Sequence, residues 1–151
     1  TRNSSRDGPA FVDYVGLASE LPELIGEADV VVNATPLTPA TTGLFDAAMF
    51  ERMKTSAFFI NIGRGASVVT DDLVTALERG HIAGAGLDVT DPEPLPNGHP
   101  LWSAPNVIIT PHIAGVSQLK LDRVWEVMRE NLRRYVAGEK MLSVVDPTLG
   151  Y

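Results

Sequence analysis

Apolar positions in this chain fall into short β-branched or aromatic runs, separated by stretches with helical spacing. Four runs bounded by turn residues predict strands: Asp29 to Ala34, Ala57 to Ile62, Gly84 to Val89 and Val107 to Thr110. The first, with Val30-Val31-Val32 at its centre, predicts a buried strand. A shorter candidate strand covers Phe11-Val12-Asp13-Tyr14-Val15. Between these runs, Ser19 is placed to cap a helix through Ile25-Gly26, with Glu20 and Glu23 in its first turns. Asp46 predicts the start of a helix to about Met53, and Thr70-Asp71-Asp72 the start of one ending near Arg79-Gly80. A long amphipathic helix is predicted from about Ser117 to Val136-Ala137, with Gly138 as its stop. Its apolar stripe includes Leu121, Val124, Val127, Met128, Leu132 and Tyr135. Residues 1–9 read as a loop, and Leu142 to Tyr151 as an extended tail.

Strands alternating with helices predict an α/β fold with a parallel sheet and right-handed crossovers. With 151 residues, 44% hydrophobic and 21% charged, the chain has one domain's worth of material and enough for a sizeable core. A net charge of -7 argues against nucleic acid or an anionic membrane surface as partner. The absence of Cys excludes disulfides and thiolate sites. No apolar run approaches a membrane span and no signal-peptide pattern opens the chain, so the expected location is the cytoplasm.

Three chemical groups follow predicted strands, where a parallel sheet delivers side chains to the crevice at its C-terminal edge. Arg64 follows the Ala57 strand between two glycines, Glu93 lies beyond the Gly84 strand between two prolines, and His112 follows Pro111 after the last strand. A guanidinium, a carboxylate and an imidazole can together bind an anionic substrate and move a proton. Each also has a plainer explanation. A lone His after a strand is more often structural, Glu93 could be a solvated loop acid, and Arg64 could be a surface residue in a turn. Gly63 and Gly65 suggest close backbone approach to a ligand. Asp88, closing an apolar strand, needs partners if buried, and from the residues alone is as readily a backbone-satisfying Asp as a ligand group. His81 and His99 lie in loops without ligand spacing to His112, so no metal site is expected. Trp102 is expected to pack, and Trp125 to face a partner subunit.

Asn61-Ile62-Gly63-Arg64-Gly65, Gly86-Leu87-Asp88-Val89 with Pro92-Glu93-Pro94, Pro111-His112-Ile113-Ala114-Gly115, and Thr35-Pro36-Leu37-Thr38-Pro39-Ala40-Thr41-Thr42-Gly43 occur in order over nearly the whole chain. In this register the chain resembles the NAD-binding domain of the D-isomer-specific 2-hydroxyacid dehydrogenases, nearest to the glyoxylate/hydroxypyruvate reductase branch. The resemblance implies hydride transfer between NAD(P)H and a small 2-oxo acid. It makes His112 the acid/base, Glu93 the group that tunes it, and Arg64 the substrate-binding residue. It implies cofactor contacts from Thr35, Pro36, Thr38, Ile62, Gly63, Asp88 and Gly115, with Asp88 on the nicotinamide carboxamide. Arg2 falls near the end of the family's second strand, where a cation accommodates a 2′-phosphate, so the cofactor leans from NAD to NADP. Relatives dimerise through this domain, which implies a homodimer.

The family's Gly-x-Gly-x-x-Gly loop has no counterpart in the chain; Gly84-Ala85-Gly86 lies within a strand. The expectation is therefore an incomplete doubly wound Rossmann-type sheet lacking its first strand, glycine loop and second strand, with the gap between the Phe11 and Asp29 strands. Residues 1–137 are expected to form the partial dinucleotide-binding domain, and 138–151 a tail reaching toward a substrate domain outside the chain. A dinucleotide-sensing interaction module, as in the family's corepressor relatives, is the alternative from another class, and an inert piece of the enzyme is a third.

Overall fold

The computed structural model describes residues 7–148. Its contacts divide the chain after Pro111. The unit ending at Pro111 holds a four-stranded sheet: β1 (Val30–Asn33), β2 (Phe58–Asn61), β3 (Gly84–Leu87) and β4 (Val107–Ile109), in the spatial order β1-β2-β3-β4. All three pairings are parallel; Val32 lies beside Ile60, Ile60 beside Gly86, and Gly86 beside Ile108. Helices α1 (Leu21–Glu27), α2 (Ala47–Arg52) and α3 (Thr70–Glu78) accompany the sheet, so the predicted α/β architecture of Rossmann type is observed.

Period-2 alternation decides what each strand buries. Val31, Phe59, Ala85 and Leu87 face a core completed by Ile25 of α1, Met49 and Phe50 of α2, and Leu73, Val74, Ala76 and Leu77 of α3. Phe59 lies at its centre, edge-on to Phe50 at a centroid distance of 5.3 Å and tilted against Phe45 at 4.8 Å. The opposite side chains, Val30, Val32, Phe58 and Ile108, are 48% to 71% exposed. The strand expected to be buried at Asp29–Ala34 is thus buried on one face and exposed on the other. Among the described strands β1 lies at the edge, paired only with β2.

Local chemistry fixes the helix ends. Asp46 caps α2 as predicted, accepting from the Met49 amide at 3.0 Å, and Asp72 of α3 accepts from the Ala47 amide at 2.9 Å. α3 ends at Arg79 and Gly80, where a φ of 68° makes glycine the suitable stop. Two expectations are corrected. Phe11 to Val15 forms no strand; no described strand offers it a ladder, the segment turns through a Val12 amide to Pro9 carbonyl bond, and Phe11 is 86% exposed. Ser19 is not a cap: it lies within the 3-10 turn Ala18–Glu20. Glu20 closes that turn instead, its carboxylate accepting from the Leu17 amide at 2.6 Å.

The unit from His112 onward is built on α4 (Lys120–Ala137), one turn shorter at its start than the pattern predicts. Ser117 to Leu119 form the preceding turn, and no side chain caps the helix. Gly138 ends it in the left-handed conformation as predicted, and the Glu139 amide returns to the Arg134 carbonyl at 2.8 Å. Arg133 bridges Glu130 and Glu139, and Arg134 also binds Glu130 at 2.7 Å. These arginine hydrogen bonds hold the Glu130 carboxyl down to about 2. No described helix is long and apolar enough to cross a membrane.

Candidate functional site

β1 and β2 both end in asparagine, and the register sets Asn33 directly beside Asn61. Both side chains are 1% exposed, so their amides need partners inside the protein. They find them in one network. Asn33 Nδ2 donates to Asn61 Oδ1 at 3.0 Å and to Ser67 Oγ at 2.6 Å. Asn33 Oδ1 accepts from the amide and the hydroxyl of Thr35, and Asn61 Oδ1 from the Gly63 amide at 3.0 Å. Each asparagine thereby shapes the first turn of the loop after its own strand, by the same Asn-to-second-residue bond. Among the described residues, no buried side-chain polar atom lacks a partner.

Arg64 sits on top of this network. Its carbonyl accepts from Asn61 Nδ2 at 3.1 Å, Ser67 Oγ at 2.6 Å and the Ser67 amide at 3.2 Å. Its side chain is exposed, with Nη1 donating to the Gly63 carbonyl at 2.8 Å. The flanking glycines are required by close approaches within the chain itself. A Cβ on Gly63 would come within 2.9 Å of the Thr35 carbonyl oxygen, and one on Gly65 would overlap the Thr90 carbonyl. The close approach they permit is to this chain's own backbone. Beneath Gly65 a cavity of about 10 Å³, lined by Asn61, Leu87 and Thr90 among others, is at the lower limit for one water.

Thr35, Pro36 and Thr38 belong to the loop after β1. Thr41 shapes it, its hydroxyl donating to the Pro36 carbonyl at 2.7 Å and accepting from the Thr38 amide at 2.8 Å. Ile62 is 45% exposed beside Gly63. Asp88 follows β3 and is buried; it accepts from the Thr110 hydroxyl at 2.6 Å, which links the ends of β3 and β4. Glu93 is an exposed loop residue, tied into the first unit by its neighbours: Thr90 Oγ1 donates to the Pro92 carbonyl and Thr70 Oγ1 to the Asp91 carbonyl. His112 opens the second unit with a φ of 56°, a conformation uncommon outside glycine and often found at functional positions. Gly115 lies in the turn closed by the Val116 amide and Ile113 carbonyl. Arg2 lies outside the described residues. His99 Nδ1 caps the 3-10 turn Pro100–Trp102, and Trp102 Nε1 donates to the Pro96 carbonyl at 2.9 Å.

Within the first unit the structure therefore gathers Thr35, Ile62, Gly63 and Arg64 around one buried network, with Asp88 at the end of the next strand. An exposed cation and a buried carboxylate at the C-terminal edge of a parallel sheet suit an anionic, hydrogen-bonding ligand. Asn33, Asn61 and Ser67 were not singled out from the sequence. Their signal was present: an asparagine closing each of two apolar strands is a buried polar group that must have partners.

Comparison with known proteins gives one consistent family. The profile described as D-isomer specific 2-hydroxyacid dehydrogenase, NAD binding domain, matches residues 3–114. A glyoxylate reductase/hydroxypyruvate reductase of Homo sapiens is 47% identical over 122 residues, covering 81% of this chain and 37% of its own length. A D-isomer specific 2-hydroxyacid dehydrogenase from Xanthobacter autotrophicus Py2, solved with NADPH and MES, superposes with a TM-score of 0.82 at 42% identity, covering 89% of this chain and 43% of that one. An NADPH-dependent glyoxylate/hydroxypyruvate reductase from Sinorhizobium meliloti, solved with NADP and sulfate, gives a TM-score of 0.84 at 34% identity, covering 97% of this chain and 48% of that one. The chain thus spans less than half the length of each.

Proposed function

Since the chain belongs to the D-isomer specific 2-hydroxyacid dehydrogenase family, matching its NAD binding domain over residues 3–114, we propose that it works within an NAD(P)H-dependent reductase of a small 2-oxo acid, of the glyoxylate or hydroxypyruvate type. The observation that carries this reading is the seating of Arg64 on the Asn33–Asn61–Ser67 network, with Asp88 closing the adjacent strand. In this proposal residues 1–137 are the dinucleotide-binding part and 138–151 a tail.

The residues present have the chemistry a nicotinamide dinucleotide needs. The Asp88 carboxylate is an acceptor suited to the carboxamide N–H, and Ile62 offers an apolar surface beside it. Thr35, Pro36, Thr38, Gly63 and Gly115 would contact the remainder, and Arg2 a 2′-phosphate, which with the NADPH and NADP held by solved relatives favours NADP. When bound, that cofactor supplies the hydride for the substrate's C2. Arg64 grips the substrate carboxylate and orients its carbonyl, a task for which the planar fork is suited and for which it need not change protonation. His112 would protonate the carbonyl oxygen in the reduction to the 2-hydroxy acid and take the proton back in the reverse direction. The role of fixing the imidazole tautomer is assigned to the Glu93 carboxylate. The protein is proposed to act in the cytoplasm as a homodimer, without nucleic-acid or membrane partners.

The test is oxidation of NADPH, followed at 340 nm, by the full-length protein carrying this chain, with glyoxylate, hydroxypyruvate and pyruvate as substrates. Reduction of at least one is expected. No turnover of any small 2-oxo acid with NADPH or NADH would contradict the reading.

A further inference from the structure

We propose that Ser67, with Asn33 and Asn61, is a positioning residue for Arg64, and that the network sets the anion-binding guanidinium through the Arg64 main chain. The inference rests on the reading of Arg64 as the carboxylate-binding group.

Arg64 is exposed, so packing around its side chain does little to place it. Its placement has to come from the backbone, which is extended there (φ -139°, ψ 143°) between the end of β2 and the turn Gly65–Ser67. Three donors converge on its carbonyl oxygen, two of them side chains: Ser67 Oγ at 2.6 Å and Asn61 Nδ2 at 3.1 Å. Both side chains are held in turn by Asn33 Nδ2. All three are essentially solvent-free, at 0% to 1% exposure, where a satisfied polar network rigidifies its surroundings. The other end of Asn33 holds Thr35, and Gly63 lies against the Thr35 backbone. One network therefore clamps the loops after β1 and β2 to each other. An ordinary buried turn needs one backbone bond to close; this one spends two extra side-chain donors on the carbonyl of the single residue that presents a cation.

The test is a double-mutant cycle in the full-length protein. Ser67→Ala removes one donor to the Arg64 carbonyl and adds no bulk. The 2-oxo acid KM should rise by up to about tenfold, the worth of one hydrogen bond in positioning, with the KM for NADPH within about twofold. Ser67→Cys, whose thiol is a weaker donor, should fall between wild type and Ser67→Ala. In an Arg64→Ala background, Ser67→Ala should change the residual kcat/KM by less than about twofold, because the group it positions is gone. Equal losses from Ser67→Ala with and without Arg64 would show a general structural role and overturn the positioning proposal. So would an effect falling on the NADPH KM with the 2-oxo acid KM unchanged. An Arg64→Ala variant of wild-type efficiency would instead refute the assignment of Arg64 itself, and the positioning role with it.

Discussion

Replacing Gly65 by alanine should destabilise the first unit far more than its exposed neighbours suggest. A Cβ there overlaps the Thr90 carbonyl and lies 2.7 Å from the Asp91 nitrogen, where ordinary contact begins near 3.4 Å. Both obstacles are main chain, so no side-chain rotation relieves them. Neither side can withdraw cheaply. Asp91's carbonyl accepts from Thr70 Oγ1, Thr90 Oγ1 binds the Pro92 carbonyl, and the Gly65 carbonyl accepts from the Val68 amide next to the Arg64 network. Overpacking typically costs about 1–3 kcal/mol, and breaking one of these tethers adds roughly 1 kcal/mol. A total of about 3 kcal/mol corresponds to a fall in Tm of roughly 6–12 °C for a chain of this size. Gly115→Ala is the control, since nothing lies within 4 Å of its Cβ position. Urea unfolding followed by circular dichroism and by Trp102 fluorescence, with Trp125 replaced by Phe, reads both effects. A Gly65→Ala variant as stable as Gly115→Ala would refute the close approach and the tethering argued from it.

Phe59→Ala should cost about 3–5 kcal/mol, because a fully buried ring against Phe45 and Phe50 leaves a cavity; calorimetry or urea unfolding checks this. Asp46→Ala removes the cap of α2 and should cost about 1 kcal/mol, measured the same way; an unchanged midpoint would refute the capping role. Glu130 has its pKa lowered from 4.5 to about 2 by Arg133 and Arg134, so its contribution to α4 is complete above pH 4.5 and is lost as pH falls toward 2. Acid titration by circular dichroism should show helix loss in that window, reduced in Glu130→Gln. The 151-residue chain alone, which contains no Gly-x-Gly-x-x-Gly, should bind NADPH more weakly than about 100 μM in calorimetric titration, because backbone donors at a helix N-terminus normally hold the pyrophosphate.

The strands, the caps at Asp46 and the stops at Gly80 and Gly138 were legible because each rests on local chemistry: an apolar run, a side-chain acceptor, a residue tolerating positive φ. Phe11 to Val15 shows where local reading ends. Its composition suits a strand, but a strand exists only where a neighbour accepts its backbone bonds. Val30 and Val32 failed for a related reason: a hydrophobic run does not say whether anything covers its second face. Arg64, Asp88, Glu93 and His112 stood out as charged or titratable groups after strands. Asn33, Asn61 and Ser67 did not, because uncharged residues reveal their role only through the register that sets one strand end beside the other. Gly63 and Gly65 were legible as close approaches, while the backbone of Thr35 and Thr90 as approaching groups required the three-dimensional contact.

In the proposed reduction of a 2-oxo acid, His112 is the proton donor. The most direct test is kcat for glyoxylate or hydroxypyruvate reduction by the full-length protein and its His112→Ala variant, at saturating NADPH and matched folding by circular dichroism. A loss of roughly a hundredfold or more in kcat is expected, the usual worth of a positioned general acid. A His112→Ala variant with wild-type kcat would contradict this role.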